Sequence, residues 1–196
     1  MEHSEEEVVA SANELIAELN AMGHPAIFFI TGNFASGKTT LAKELFSRLS
    51  FVHIIHIGII TKTIRLLCPD LLVSKFPGDG GMILNEAFRS IISSYTNSGV
   101  NAIFEGVQID IPVVSTMPEV LGGVVLQTSE DTSSVFANRP HSHFKRHADG
   151  IRPISYPDSP IFKTIQNSIN GQNQTRLETL FFLEKLLRKK ISNVKE

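Results

Sequence analysis

The chain has 196 residues, 42% of them hydrophobic and 19% charged, with a net charge of −2. That is enough for one domain with its own core, and the balance of charge argues against nucleic acid or an anionic membrane as partner. No apolar run is long enough to cross a bilayer, and the single cysteine, Cys68, excludes an intrachain disulfide and suits a reducing compartment.

Ser4-Glu5-Glu6-Glu7 has the form of a capping box. This acidic start is the opposite of a signal peptide's basic one, so a cytoplasmic, single-domain protein is expected. Val8, Ala12, Leu15, Ile16 and Leu19 then recur at helical spacing, and Gly23 and Pro25 end this N-terminal helix within residues 1–24. Ala26 to Ile30 reads as a buried strand, followed by a glycine-rich loop and a helix from about Lys38 that carries Leu41, Leu45 and Leu49 on one face. Phe51 to Ile57 reads as a second strand, and Thr61 to Leu67 as a short helix stopped before Pro69. Beyond the loop from Phe76 to Gly81, a helix through Leu84, Phe88, Ile91, Ile92 and Tyr95 ends near Gly99. Val100 to Phe104 is a third strand, and Val124 to Leu126 lies in a fourth.

Residues 129–157 are polar, basic and without periodicity, and have the character of a lid. Asp158 followed by Pro160 has the form of a cap and first-turn proline, which predicts a helix ending at Asn170-Gly171. Residues 173–191 form a final helix with Leu177, Leu180, Phe181, Leu187 and Ile191 on it. Its apolar face suits core packing, with a dimer contact as the alternative, so a monomer or homodimer is expected. Strands that alternate with helices predict a mainly parallel sheet covered on both faces.

Gly32-Asn33-Phe34-Ala35-Ser36-Gly37-Lys38-Thr39 fits G-x-x-x-x-G-K-[ST], between a strand and a helix. The glycines let amide hydrogens turn inward, and these amides with the helix N-terminus cradle phosphate. Lys38 reaches the outer phosphates, the Thr39 hydroxyl is placed for Mg²⁺, and Thr40 continues the site. ATP with Mg²⁺ is the expected cofactor. Glu105, at the end of the third strand in Ile103-Phe104-Glu105-Gly106, is a carboxylate suited to the metal or the acceptor. Gly106 after it suggests a close approach of the backbone to a neighbour.

Arg139, His143, Arg146 and Arg152 lie in the basic segment, where arginines can close over a transferring phosphoryl group. His141, His143 and His147 are also close in sequence, but without a Cys or carboxylate partner they make a poor zinc site. His53 and His56 lie on an apolar strand and read as satisfied core or strand-end histidines.

The sequence resembles the 2-phosphoglycerate kinases among the small P-loop kinases. The resemblance rests on the glycine loop, Thr63-Ile64-Arg65, Phe104-Glu105-Gly106-Val107, Ser142-His143-Phe144 with Arg146, Arg152-Pro153 and Ile165-Gln166. It implies a three-layer α/β fold of the P-loop NTPase kind and transfer of the ATP γ-phosphoryl group to a small anionic hydroxy acid. An acceptor of that charge suits Lys62, Arg65, Arg139 and His143 as its binding residues, while Lys38, Glu105, Arg146 and Arg152 are expected to act in catalysis.

The chain departs from the family pattern at three places. Lys62 stands where the family tends to have an acid that orients the acceptor hydroxyl, which points to another acceptor, another base such as Glu105 or Asp110, or weak catalysis. Gln108 replaces a histidine. No run after the lid reads as a fifth strand, so a sheet without its last strand is expected. The alternatives are a regulatory or degenerate kinase that binds nucleotide without turnover, and a nucleoside or antibiotic kinase of the same fold.

Overall fold

The computed structural model describes residues 4–33, 35–67, 81–107, 109–128, 159–168 and 171–196, with the backbone alone for residues 65 and 81–84. Helix α1 (Glu5–Ala21) opens on the expected capping box: the Glu7 amide donates to Ser4 Oγ at 3.3 Å, and the Ser4 amide to Glu7 Oε2 at 2.8 Å. Next come β1 (Ile27–Gly32), α2 (Lys38–Arg48), β2 (His53–His56), α3 (Ile57–Leu67) and α4 (Gly81–Asn97). They are followed by β3 (Ala102–Glu105), α5 (Ile111–Ser115), β4 (Val120–Thr128), β5 (Phe162–Asn167) and a last helix, α6 (Gln172–Lys195).

The sheet order is β2-β3-β1-β4-β5, and every pairing is parallel. Side chains alternate across a strand, so β1 supplies both cores. Phe28 and Ile30 join Ile103, Val124, Leu126 and Ile165 beneath α1, α2 and α6. Ile27 and Phe29 join Phe104, Ile57 of α3 and Phe88 and Ile92 of α4 on the other face. Leu180, Leu183, Leu187 and Ile191 of α6 are in the first core, so this helix packs on the sheet as expected. Glu5 ties the start of α1 to its neighbours by ion pairs to Arg176 of α6 and Arg48 of α2. The hydrogen bond from Arg176 holds the Glu5 carboxyl below its ordinary range.

Among the described residues the helix predicted from Asp158 to Gly171 is replaced by a fifth strand, residues 162–167. Pro160 is instead the second residue of a turn, in which Phe162 N–H donates to the Ser159 carbonyl at 3.1 Å. From there β5 runs parallel to β4 in register from Gly123↔Phe162 to Thr128↔Asn167. Pairing with an otherwise open sheet edge outweighs a local helix signal, and the sheet does not lack its last strand.

That edge forms because β4 is narrow. A Cβ on Gly123 would lie 2.4 Å from the Phe29 carbonyl oxygen and 2.7 Å from the Phe162 ring. Gly123→Ala should therefore cost about 1–3 kcal/mol of stability by overpacking, read as a lower urea midpoint. An unchanged midpoint would mean that β1 and β5 do not close on β4 in this way.

Candidate functional site

The C-terminal ends of β1, β2 and β3 meet the N-terminus of α2. At the end of β1, Gly32 has φ 136°, and a Cβ there would lie 1.9 Å from the Leu126 carbonyl oxygen. Asn33 N–H donates to that same oxygen at 3.1 Å, which fastens the start of the loop to β4. Ala35 has a positive φ of 57°, and Gly37, at φ 88°, is the N-cap of α2. No side chain caps this helix, so its first-turn amides and the positive end of its dipole are presented at the loop.

Lys38 begins α2 and is only 8% exposed. Its ammonium folds over the loop, with Nζ donating to the Asn33 carbonyl at 2.5 Å and to Ser36 Oγ at 3.3 Å. The buried Thr31 Oγ1 and Asn33 Oδ1 have no hydrogen-bond partner among the described residues. Uncapped amides, left-handed torsions and a folded-back ammonium make a cradle whose chemistry fits an anion such as phosphate.

Glu105 ends β3, which lies beside β1 with Ile30 opposite Glu105. It is 8% exposed. Oε2 accepts from the Thr39 hydroxyl at 3.3 Å, and Oε1 accepts from His56 Nδ1 at 2.5 Å. His56 is the last residue of β2 and pairs in register with Glu105. Helix α2 and strands β3 and β2 thus each supply one side chain to a single chain of contacts, Thr39–Glu105–His56.

Thr39 and Glu105 are hard oxygen donors, the kind Mg²⁺ takes. No group of three or more His, Cys, Asp or Glu suited to a metal occurs among the described residues. This donor set fits a metal that takes one or two protein groups and completes its shell with phosphate and water.

Lys38, Thr39 and Glu105 are therefore brought together with Gly32, Asn33, Ala35, Ser36 and Gly37, while Thr40 points outward from α2 as an exposed residue. Lys62 is exposed on α3, and the backbone of Arg65 lies on the same helix. Phe34, Gln108, Arg139, His143, Arg146 and Arg152 lie outside the described residues, as do His141 and His147.

Asp110 caps α5, its Oδ1 accepting from Val113 N–H at 3.4 Å. The close neighbour of Gly106 is Ile57, whose Cβ would be 2.7 Å from an added Cβ, so this glycine serves packing against α3. His53 bonds the Tyr95 hydroxyl at 2.9 Å on an exposed part of β2.

Sequence reasoning missed two residues at the site. His56 could have been found by treating each last strand residue as a neighbour of the next strand's end, since parallel strands align these positions. Asn167 could not have been found while its segment was read as a helix. It ends β5, and its Nδ2 donates to the Ser36 carbonyl at 2.8 Å.

No family model matches the sequence, and no curated protein matches it. Solved structures do share its architecture. A sugar kinase from Janibacter sp. HTCC2649 is 12% identical, with a TM-score of 0.53 over 82% of this chain and 97% of that one. The protein APE1195 is 16% identical, with a TM-score of 0.51 over 84% of this chain and 95% of its own. The likeness is one of fold, and this chain's own version of it is a parallel α/β sheet in the order β2-β3-β1-β4-β5 with helices on both faces.

Proposed function

We propose that the chain is an ATP-dependent phosphotransferase that moves the γ-phosphoryl group to a hydroxyl of a small anionic acceptor, the reaction class of the 2-phosphoglycerate kinases it resembles. The carrying observation is the convergence of Lys38, Thr39 and Glu105 under the uncapped N-terminus of α2. The loop amides and Lys38 hold the nucleotide's phosphates. Thr39 and Glu105 hold Mg²⁺, which when bound draws charge from the transferring phosphate. Lys62 and Arg65 on α3, with Arg139 and His143, bind the acceptor's anionic group. Arg146 and Arg152 stabilise the transferring group. Such catalysis is positioning and charge stabilisation more than proton transfer.

The test is ATP consumption across phosphorylated and carboxylated hydroxy acids, 2-phosphoglycerate among them, beside uncharged alcohols and nucleosides. Turnover with an anionic acceptor is the expected result. Turnover with uncharged acceptors alone would place the chain with nucleoside or antibiotic kinases. Tight ATP binding without turnover on any acceptor would make it a nucleotide-binding regulatory protein. Lys62, exposed on α3 where an acid was expected, favours that second reading. Its other support has gone, because the fifth strand is present.

A further inference from the structure

Among the described residues, the glycine loop is held from outside its motif at its start and at its end. Its start is held by Leu126 of β4. Its end is held by a side chain more than 120 residues further on: Asn167 Nδ2 donates to the Ser36 carbonyl at 2.8 Å. The other end of the same amide is also held, since Oδ1 accepts from the Thr175 hydroxyl at 2.9 Å. Thr175 lies near the start of α6, is 4% exposed, and has its own amide donating to the Gly171 carbonyl at 2.9 Å. Its carbonyl accepts from the Thr179 hydroxyl at 2.7 Å.

The donors and acceptors permit one orientation of the Asn167 amide. The Ser36 carbonyl can only accept, so Nδ2 must face it, and Thr175, whose hydroxyl can do either, must donate to Oδ1. Turning the amide over would set two oxygens against each other. The Ser36–Gly37 peptide is trans. In a planar trans peptide the N–H points opposite to the C=O, so drawing the Ser36 oxygen towards Asn167 aims the Gly37 N–H away from it. Gly37 also has to be glycine for this contact: a Cβ there would lie 2.6 Å from Asn167 Nδ2, at a φ of 88°.

We propose that Asn167 is a positioning residue for phosphate binding: oriented by Thr175, it holds the Ser36–Gly37 peptide so that the Gly37 amide faces the nucleotide's phosphates. The proposal rests on the nucleotide reading above and adds to it a link from the last strand and last helix to the phosphate cradle. Asn167 touches no phosphate in this role. It acts through the loop, and its effect does not depend on the base.

The test compares ATP with inorganic tripolyphosphate, which has no base, by calorimetry on the full chain. Asn167→Ala should weaken both probes alike, by about three- to tenfold, the range expected for one lost hydrogen bond. Asn167→Asp, which keeps the shape but sets a carboxylate against the Ser36 carbonyl, should weaken both further. Thr175→Val should give a smaller loss of about two- to threefold, and the double variant should be no worse than Asn167→Ala alone, because the two act as one unit. In the chain without ligand, the amide chemical shift of Gly37 should move in each variant, because that N–H belongs to the peptide Asn167 holds. A residue that merely stabilised the fold would lower the melting temperature and leave the affinity for tripolyphosphate unchanged.

Weaker ATP binding with unchanged tripolyphosphate binding would make Asn167 a contact to the base and overturn the proposal. Unchanged binding of both would overturn it as well, as would fully additive losses at Asn167 and Thr175. Should Asn167→Ala fail to fold, Asn167→Asp and Thr175→Val carry the same comparison. A wild-type chain that binds neither probe refutes the nucleotide reading instead, and the Gly37 amide shift still decides whether Asn167 holds the loop.

Discussion

Lys38→Ala should lower kcat/KM for phosphoryl transfer by at least about 10²- to 10³-fold, the loss expected when a positioned stabiliser of developing charge is removed. The side chain is buried to 8% exposure and its ammonium is already inside the loop, bonded to the Asn33 carbonyl and Ser36 Oγ. A point charge in such a place acts through a lower effective dielectric than one in water, so its attraction for phosphate oxygens is strengthened. Charge moves onto those oxygens as transfer proceeds, and the loss should therefore fall on kcat as well as on KM. Lys38→Arg should not restore activity, since a planar guanidinium is a poor substitute for a compact ammonium that must fit within the loop. A coupled assay of ADP release measures both variants, with circular dichroism to establish that they are folded. A kcat/KM within a few-fold of wild type would remove Lys38 from the site and the phosphotransfer reading with it.

The glycine loop was legible because its signal is local: fixed residues at fixed spacing between an apolar run and a helix. Glu105 was legible for a related reason, as an acid that directly follows an apolar strand. The helices α1 and α6 could be read from their apolar spacing, which the cores bear out through Val8, Ile16, Leu180 and Leu187. Strand β5 was misread because Asp158 and Pro160 precede it in the sequence pattern that starts helices, and only the presence of β4 decides between the two outcomes. The same dependence hid Asn167 and His56. Neither carries a local signal, and each matters through a partner far away in sequence, Ser36 for one and Glu105 for the other. The α5 cap shows the converse, a structural use that is local: one oxygen of Asp110 accepts from the Val113 amide three residues on.

Glu105 and His56 should behave as one unit. Glu105→Gln keeps the shape but removes the charge that Thr39 and His56 both address, and should cost about 10²- to 10³-fold in kcat. It should also raise the Mg²⁺ concentration needed for nucleotide binding, a readout independent of turnover. His56→Ala removes only the donor that fixes Oε1, and groups that orient a metal-binding carboxylate typically contribute about 10- to 100-fold. His56→Asn, whose side-chain amide can donate in place of Nδ1, should recover part of that loss. The double variant should be no worse than Glu105→Gln, because His56 acts through the carboxylate and has nothing left to orient once it is neutral. Independent losses that multiply in the double variant would give His56 a role of its own, directed at the acceptor. An unchanged Mg²⁺ requirement in Glu105→Gln would move the carboxylate from the metal to the acceptor. In either case the junction of β2 and β3 would be a place where the acceptor is held, and in the second the phosphate loop would have to bind the metal through Thr39 and the nucleotide alone.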